Sequence, residues 1–100
     1  MTYRPLPKQV TIKQSEIEGL GLYSTESLYP GQYLGITHVA NDRFENGYIR
    51  TPLGGFINHS DTPNCEVRED VDKSLMLFTL RQILPNEELT LKYNLSLIHI

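Results

Sequence analysis

The sequence predicts a mostly β domain. Three observations carry that reading. Apolar residues recur with a period near two in short stretches, helical periodicity is poor along the whole chain, and Gly and Pro interrupt the stretches at close intervals. In chain order the strand-like segments are VTIK (10–13), LGLYS (20–24), QYLGITHV (32–39), GYIR (47–50), CEVR (65–68), SLMLFTL (74–80) and ELTLKY (88–93). Asn46-Gly47 is expected to make a tight hairpin turn, because both residues tolerate positive φ. EDVDK (69–73) reads as a solvated loop between two antiparallel strands. SLMLFTL is apolar on both faces, with Leu75 and Leu77 on one and Met76, Phe78 and Leu80 on the other, so it is expected to be central and covered on both sides. ELTLKY should place Leu89, Leu91 and Tyr93 on one face.

With 100 residues the chain makes one domain, burying about two thirds of its unfolded surface in one modest core. No run of about 18 apolar residues suggests a membrane span, and MTYRPLPKQV has no apolar region of a secretory signal. The single cysteine cannot form an internal disulfide and suits a reducing, cytoplasmic setting. Nine basic and twelve acidic residues give a net charge of −3. That balance disfavours nucleic acid and favours a cationic partner such as a lysine-rich segment. The last six residues, LSLIHI (95–100), depart from the charge pattern and match an in-frame translation of a transposon-end sequencing adapter. Residues 1–94 are therefore expected to form the domain and 95–100 a non-native tail, the other reading being a natural apolar last strand.

The stretch GGFINHSDTPNCEV (54–67) sets a dense polar group directly after two core residues, Phe56 and Ile57. Single-motif readings of it fail. Asn58-His59-Ser60 and Asn94-Leu95-Ser96 fit the glycosylation pattern, but nothing suggests secretion. His59 and Ser60 are neighbours and point apart, so they make no hydrolase triad. Cys65 with His38, His59 and His99 lacks zinc-ligand spacing, and a lone cysteine beside apolar residues is more often a small core residue than a nucleophile. GLGLYS (19–24) has two glycines of a dinucleotide fingerprint but lacks the third and the helix after it.

Taken together, EGLGLYSTESLYPGQYL, GGFINHSDTPNC and LFTLRQILPNEELTLKY occur in the order and spacing of another family. They resemble the SET-domain protein lysine methyltransferases, over roughly residues 10–93. The resemblance implies a SET-type β-clip fold of small curved sheets with a C-terminal pseudoknot, in which the NHS segment is threaded beneath a loop near ELT…Y. Such threading is rare among folds. It also implies the cofactor S-adenosylmethionine, methyl transfer to a lysine of a protein or peptide substrate, and no metal.

By the same resemblance, Gly19, Leu20 and Gly21 let the backbone approach the cofactor, since glycine has no Cβ to block it. Asn58 and His59 contact the cofactor, and Tyr93 is the active-site phenol. Each has a plainer reading: turn glycines, a self-capped turn, and a core aromatic whose hydroxyl reaches water. Glu88, Leu89 and Thr90 are expected to hold the pseudoknot, and Pro63, Asn64 and a buried Cys65 to shape the exit from the threaded segment.

Departures from the family pattern fall on the substrate side. Asp61 stands where a cysteine is frequent, and Asn86 replaces the glycine of the GEE motif. Thr37-His38-Val39 occupies the place of a YxG motif, so one channel tyrosine is absent and His38 is the candidate replacement. No cysteine-rich zinc segment follows Tyr93. A unit this small is most like viral, phage or bacterial members, which would place a viral member inside a host cell. Exposed sheet edges would favour a homodimer. The rival readings are a non-catalytic SET-like module that binds a peptide or nucleotide, and a structural β-clip domain in which Asn58 and His59 satisfy each other.

Overall fold

The hairpin that opens the fold joins Val10–Gln14 (β1) to Leu20–Ser24 (β2), antiparallel from Val10↔Ser24 to Gln14↔Leu20. The structure is a computed structural model, and it describes residues 6–43 and 47–92. After the hairpin come Tyr33–Ala40 (β3), Tyr48–Arg50 (β4), the single helical turn Pro52–Gly55 (α1), Asn58–His59 (β5), Cys65–Glu69 (β6), Leu75–Thr79 (β7) and Thr90–Leu91 (β8). Strands β3 to β8 form a second sheet in the order β4-β3-β7-β6-β8-β5. Strand spans read from alternation agree to within one residue at each end for β1 to β4, β6 and β7, because period-two patterning is a local property of a half-buried pleat; β5 is not expected from the pattern, and β8 is shorter than ELTLKY.

Strand β8 is inserted between two strands that are neighbours in sequence. It runs parallel to both, with His59↔Leu91 on one side and Cys65↔Leu91 on the other. The loop 60–64 must therefore carry the chain from one side of β8 to the other. That crossing is the arrangement expected from the threaded segment. One core holds it: Leu22 of the hairpin, Leu77 of β7, and Leu89 and Leu91 around β8 are all buried in the same cluster. Backbone bonds join hairpin to C-terminal segment as well, Leu89 N–H to Leu22 O at 2.8 Å and Ser24 N–H to Glu87 O at 3.0 Å.

Three expectations are corrected. The β3–β4 ladder closes at Ala40↔Tyr48, so the connection spans 41–47 rather than a two-residue turn; Gly47 has φ +79°, and Asn46 lies outside the described residues. Strand β7 is central, and Leu75, Leu77 and Thr79 are buried, but its other face is only thinly covered. Phe78 there packs on Tyr33 and beneath the Arg68 guanidinium, 4.3 Å from the ring centroid, and Leu80 is 47% exposed. The alternation of ELTLKY also breaks down. Leu89, Thr90 and Leu91 are all buried, because β8 has strands on both sides and its threonine bonds inward.

Helix α1 is not expected from the strand pattern, although its start is marked. Thr51 caps it, the hydroxyl accepting from Gly54 N–H at 3.3 Å, and Pro52 occupies the first turn. Gly54 lets this turn sit on β3: a Cβ there would lie 2.4 Å from the backbone oxygen of Thr37. Because the obstacle is backbone, Gly54→Ala is expected to cost about 1–3 kcal/mol. Urea denaturation measures it; an unchanged midpoint would show that α1 is free to move off β3.

Candidate active site

The turn between β1 and β2 and the strand β5 meet at one side chain. Asn58 donates from Nδ2 to Glu18 O at 3.1 Å, to Leu20 O at 3.3 Å and to Glu88 Oε2 at 2.9 Å. Gly19 lies between those two carbonyls. Its φ of +49° is a left-handed conformation that glycine adopts without strain, and nothing approaches within 4 Å of where a Cβ would be. Leu20 beside it is 52% exposed. Gly19, Leu20, Gly21 and Asn58, which the sequence singled out, are thus brought together.

Gly21 has a second neighbour that the sequence did not suggest. A Cβ on it would lie 2.3 Å from Glu88 Oε2 and 3.1 Å from Ser15 Cβ. Glu88 accepts from Ser15 Oγ at 2.8–2.9 Å and from the Tyr23 hydroxyl at 3.3 Å. Partial burial and the adjacent Glu88 carboxylate push the Tyr23 phenol above the usual tyrosine range, so it acts as a donor.

His59 pairs in register with Leu91, and its side chain is exposed, with Nε2 3.2 Å from Asp61 Oδ1. The buried polar residue of this segment is instead Asn64, 3% exposed. Its Oδ1 accepts from Thr90 N–H at 2.8 Å, its Nδ2 donates to Glu88 O at 2.8 Å, and its own N–H donates to Thr90 Oγ1 at 3.2 Å. Every buried side-chain polar atom among the described residues has a partner. The polar stretch is therefore drawn inward by the inserted strand, and Asn64 does for the backbone of β8 what a neighbouring strand would do.

Asn86, standing where the resemblance expects glycine, has φ +66°. Asparagine is among the few other residues that occupy this region readily, so the replacement keeps the turn. Its Oδ1 also accepts from Lys13 Nζ at 2.8 Å. Cys65 is 1% exposed, and burial pushes its thiol up to about 12, which leaves it no nucleophilic fraction near neutrality.

His38 stands apart from this group. Strands β7, β6 and β8 lie between its strand and β5. It is 3% exposed, with Nδ1 2.9 Å from Thr37 Oγ1 and its ring edge-on to Tyr48 at 5.9 Å. Burial, with a smaller contribution from Arg50, lowers its pKa and keeps it neutral. Tyr93 and the tail 95–100 lie outside the described residues. Among the described residues no three His, Cys, Asp or Glu side chains are grouped as metal ligands.

Comparison with known proteins gives one answer. The family model described as SET domain matches residues 36–94. A histone-lysine N-methyltransferase of Aspergillus oryzae, H3 lysine-4 specific, is 28% identical over 117 residues, covering 86% of this chain and 10% of the relative. One of Mycosarcoma maydis, H3 lysine-36 specific, is 36% identical over 88 residues, covering 85% of this chain and 8% of the relative. The chain thus spans about a tenth of the length of the curated relatives it matches. Among solved structures, a candidate histone methyltransferase of Plasmodium falciparum superposes with a TM-score of 0.67 at 21% identity, over 89% of this chain and 96% of that one. The methyltransferase domain of human PR domain-containing protein 2 does so with a TM-score of 0.67 at 18% identity, over 89% and 79%. The family match begins after the Gly19–Gly21 turn. With more than half of its residues matched and the fold shared, this chain belongs to the SET domain family.

Proposed function

We propose that this domain transfers a methyl group from S-adenosylmethionine to the ε-amine of a lysine in a protein or peptide. The observation that carries the proposal is the bonding of Asn58 on edge strand β5 to the main chain on both sides of Gly19. The residues present fit a nucleoside with a small charged tail. Gly19 leaves open space on its outer side, Leu20 offers exposed apolar surface, and Glu18, Glu88 and Asp61 make the surroundings acidic. When bound, the cofactor supplies an electrophilic methyl on a sulfonium.

The chain's own task is to present a neutral amine to it. A free lysine has a pKa near 10.4, so at pH 7 about one in 2,500 is neutral, a cost of about 4.6 kcal/mol. A narrow apolar channel reduces that cost by disfavouring the ammonium. In this reading the Tyr93 hydroxyl, two residues beyond Leu91, aligns the amine rather than removing its proton. The net charge of −3 supports a basic substrate.

A second reading, binding without turnover, is favoured by His38. At the place of the channel tyrosine stands a buried imidazole engaged with Thr37 and Tyr48. One pair of measurements separates the two. Calorimetry of the full chain should register S-adenosylmethionine binding, and incubation with methyl-labelled cofactor and basic peptides should label lysine. Tyr93→Phe should lower the labelling by about tenfold or more while leaving affinity within about twofold, since the loss falls on alignment. Binding without any labelled lysine would favour the module; absence of cofactor binding would remove the transferase reading.

A further inference from the structure

Glu88 is the point at which three separate parts of the chain meet. Its carboxylate belongs to the segment leading into β8, and it accepts from Ser15 at the end of β1, Tyr23 of β2 and Asn58 of β5. Two of those partners hold the turn 16–19. The Ser15 hydroxyl that donates to Glu88 accepts from the backbone N–H groups of Ile17 at 2.9 Å and Glu18 at 3.3 Å. The Asn58 carboxamide that donates to Glu88 also donates to the carbonyls of Glu18 and Leu20. One carboxylate therefore orients both the donors and the acceptors of this turn through a relay on each side. An ionised acceptor strengthens both relays, and Gly21 provides the space that it fills.

We propose that Glu88 is a positioning residue for cofactor binding: its carboxylate sets the Glu16–Gly19 turn against β5, so that the cofactor meets a turn already ordered. This rests on the function proposed above, whereas the tie itself does not. Preorganising a loop raises affinity by removing an ordering cost that binding would otherwise carry. Tyr93 does the aligning of substrate in that reading; Glu88 touches neither reactant and acts through Ser15 and Asn58.

The experiment uses the full chain with Glu88→Ala, Glu88→Gln, Asn58→Ala and the Glu88→Ala/Asn58→Ala pair. S-adenosylmethionine affinity is measured by calorimetry, and amide hydrogen exchange is followed without cofactor. Losing an ionised acceptor should weaken affinity about tenfold in Glu88→Ala. Glu88→Gln should lose less, because its amide oxygen can accept from both Asn58 and the Ser15 hydroxyl, as one carboxylate oxygen does now, and only the charge is lost. The double variant should be within about twofold of the weaker single one, because both changes break the same link. Exchange at Ile17 and Glu18 should quicken by about tenfold in Glu88→Ala with Leu77 of the core strand unchanged, a local pattern that general destabilisation would not produce. Should Glu88→Ala not fold, Ser15→Ala tests the same relay from the hairpin side and should quicken the same two amides.

Unaltered affinity in Glu88→Ala, or exchange that quickens equally at Leu77, would overturn the proposal. If the unmodified chain fails to bind the cofactor, the functional reading falls, and the exchange pattern alone decides whether Glu88 holds the turn.

Discussion

Replacing Asn64 with alanine is expected to remove about 2–5 kcal/mol of folding stability. Its carboxamide is 3% exposed and serves the backbone of β8 twice, accepting from Thr90 N–H and donating to Glu88 O. Alanine would leave the buried Thr90 N–H without its acceptor and would remove the tie to the part-buried Glu88 O beside it. A domain of this size is stable by about 5–15 kcal/mol, so the loss is a large share of the whole. Urea denaturation should give a lower midpoint with an unchanged slope, the sign of lost stability rather than altered compactness. A cost below about 1 kcal/mol, the net value of one ordinary hydrogen bond, would mean that β8 does not depend on Asn64.

Gly21→Ala is expected to weaken S-adenosylmethionine binding by about tenfold, and it separates two reasons for a glycine at that position. If the glycine exists to admit the cofactor, an added methyl blocks the ligand whatever stands at position 88. The geometry favours another reason. The Cβ would point at Glu88, 2.3 Å from Oε2 and 3.0 Å from Cδ, and the carboxylate would have to swing away and release Ser15 and Asn58. In a Glu88→Ala background that collision is gone, so Gly21→Ala should then change affinity by less than about twofold. Additive losses in the two backgrounds would instead show that Gly21 faces the ligand. Gly19 offers the contrast within the same turn: it has a positive φ and empty space beyond it, so its glycine is required by backbone conformation and not by crowding.

The strand spans were legible because alternation and turn residues act over a few positions. Leu20–Ser24 and Leu75–Thr79 were found almost to the residue, and the departure at Asn86 finds its explanation in one dihedral angle. Helix α1 is marked locally only by Thr51-Pro52, since four residues are too few to show helical periodicity. The polar stretch stands out in the sequence as a whole, and the resemblance puts the weight within it on Asn58 and His59. Asn64 is the buried member, and His59 is exposed, because inward and outward positions in this segment are set by β8 and not by its own alternation.

The β character of the chain and, to within a residue, the spans of β1 to β4, β6 and β7 follow from pattern alone, while the grouping of Gly19, Leu20, Gly21 and Asn58 follows from the family resemblance. The spans are written in periodicity and in turn residues a few positions apart, whereas the grouping rests on the motifs of the family. Only the tertiary structure decided that Glu88 joins the hairpin to β5, that Gly21 makes room for it, and that Asn64 completes the backbone of β8. A polar side chain can bond to whatever lies within about 3 Å. Here the partners lie up to 73 positions away, and they become neighbours only when the last strand takes its place between two earlier ones.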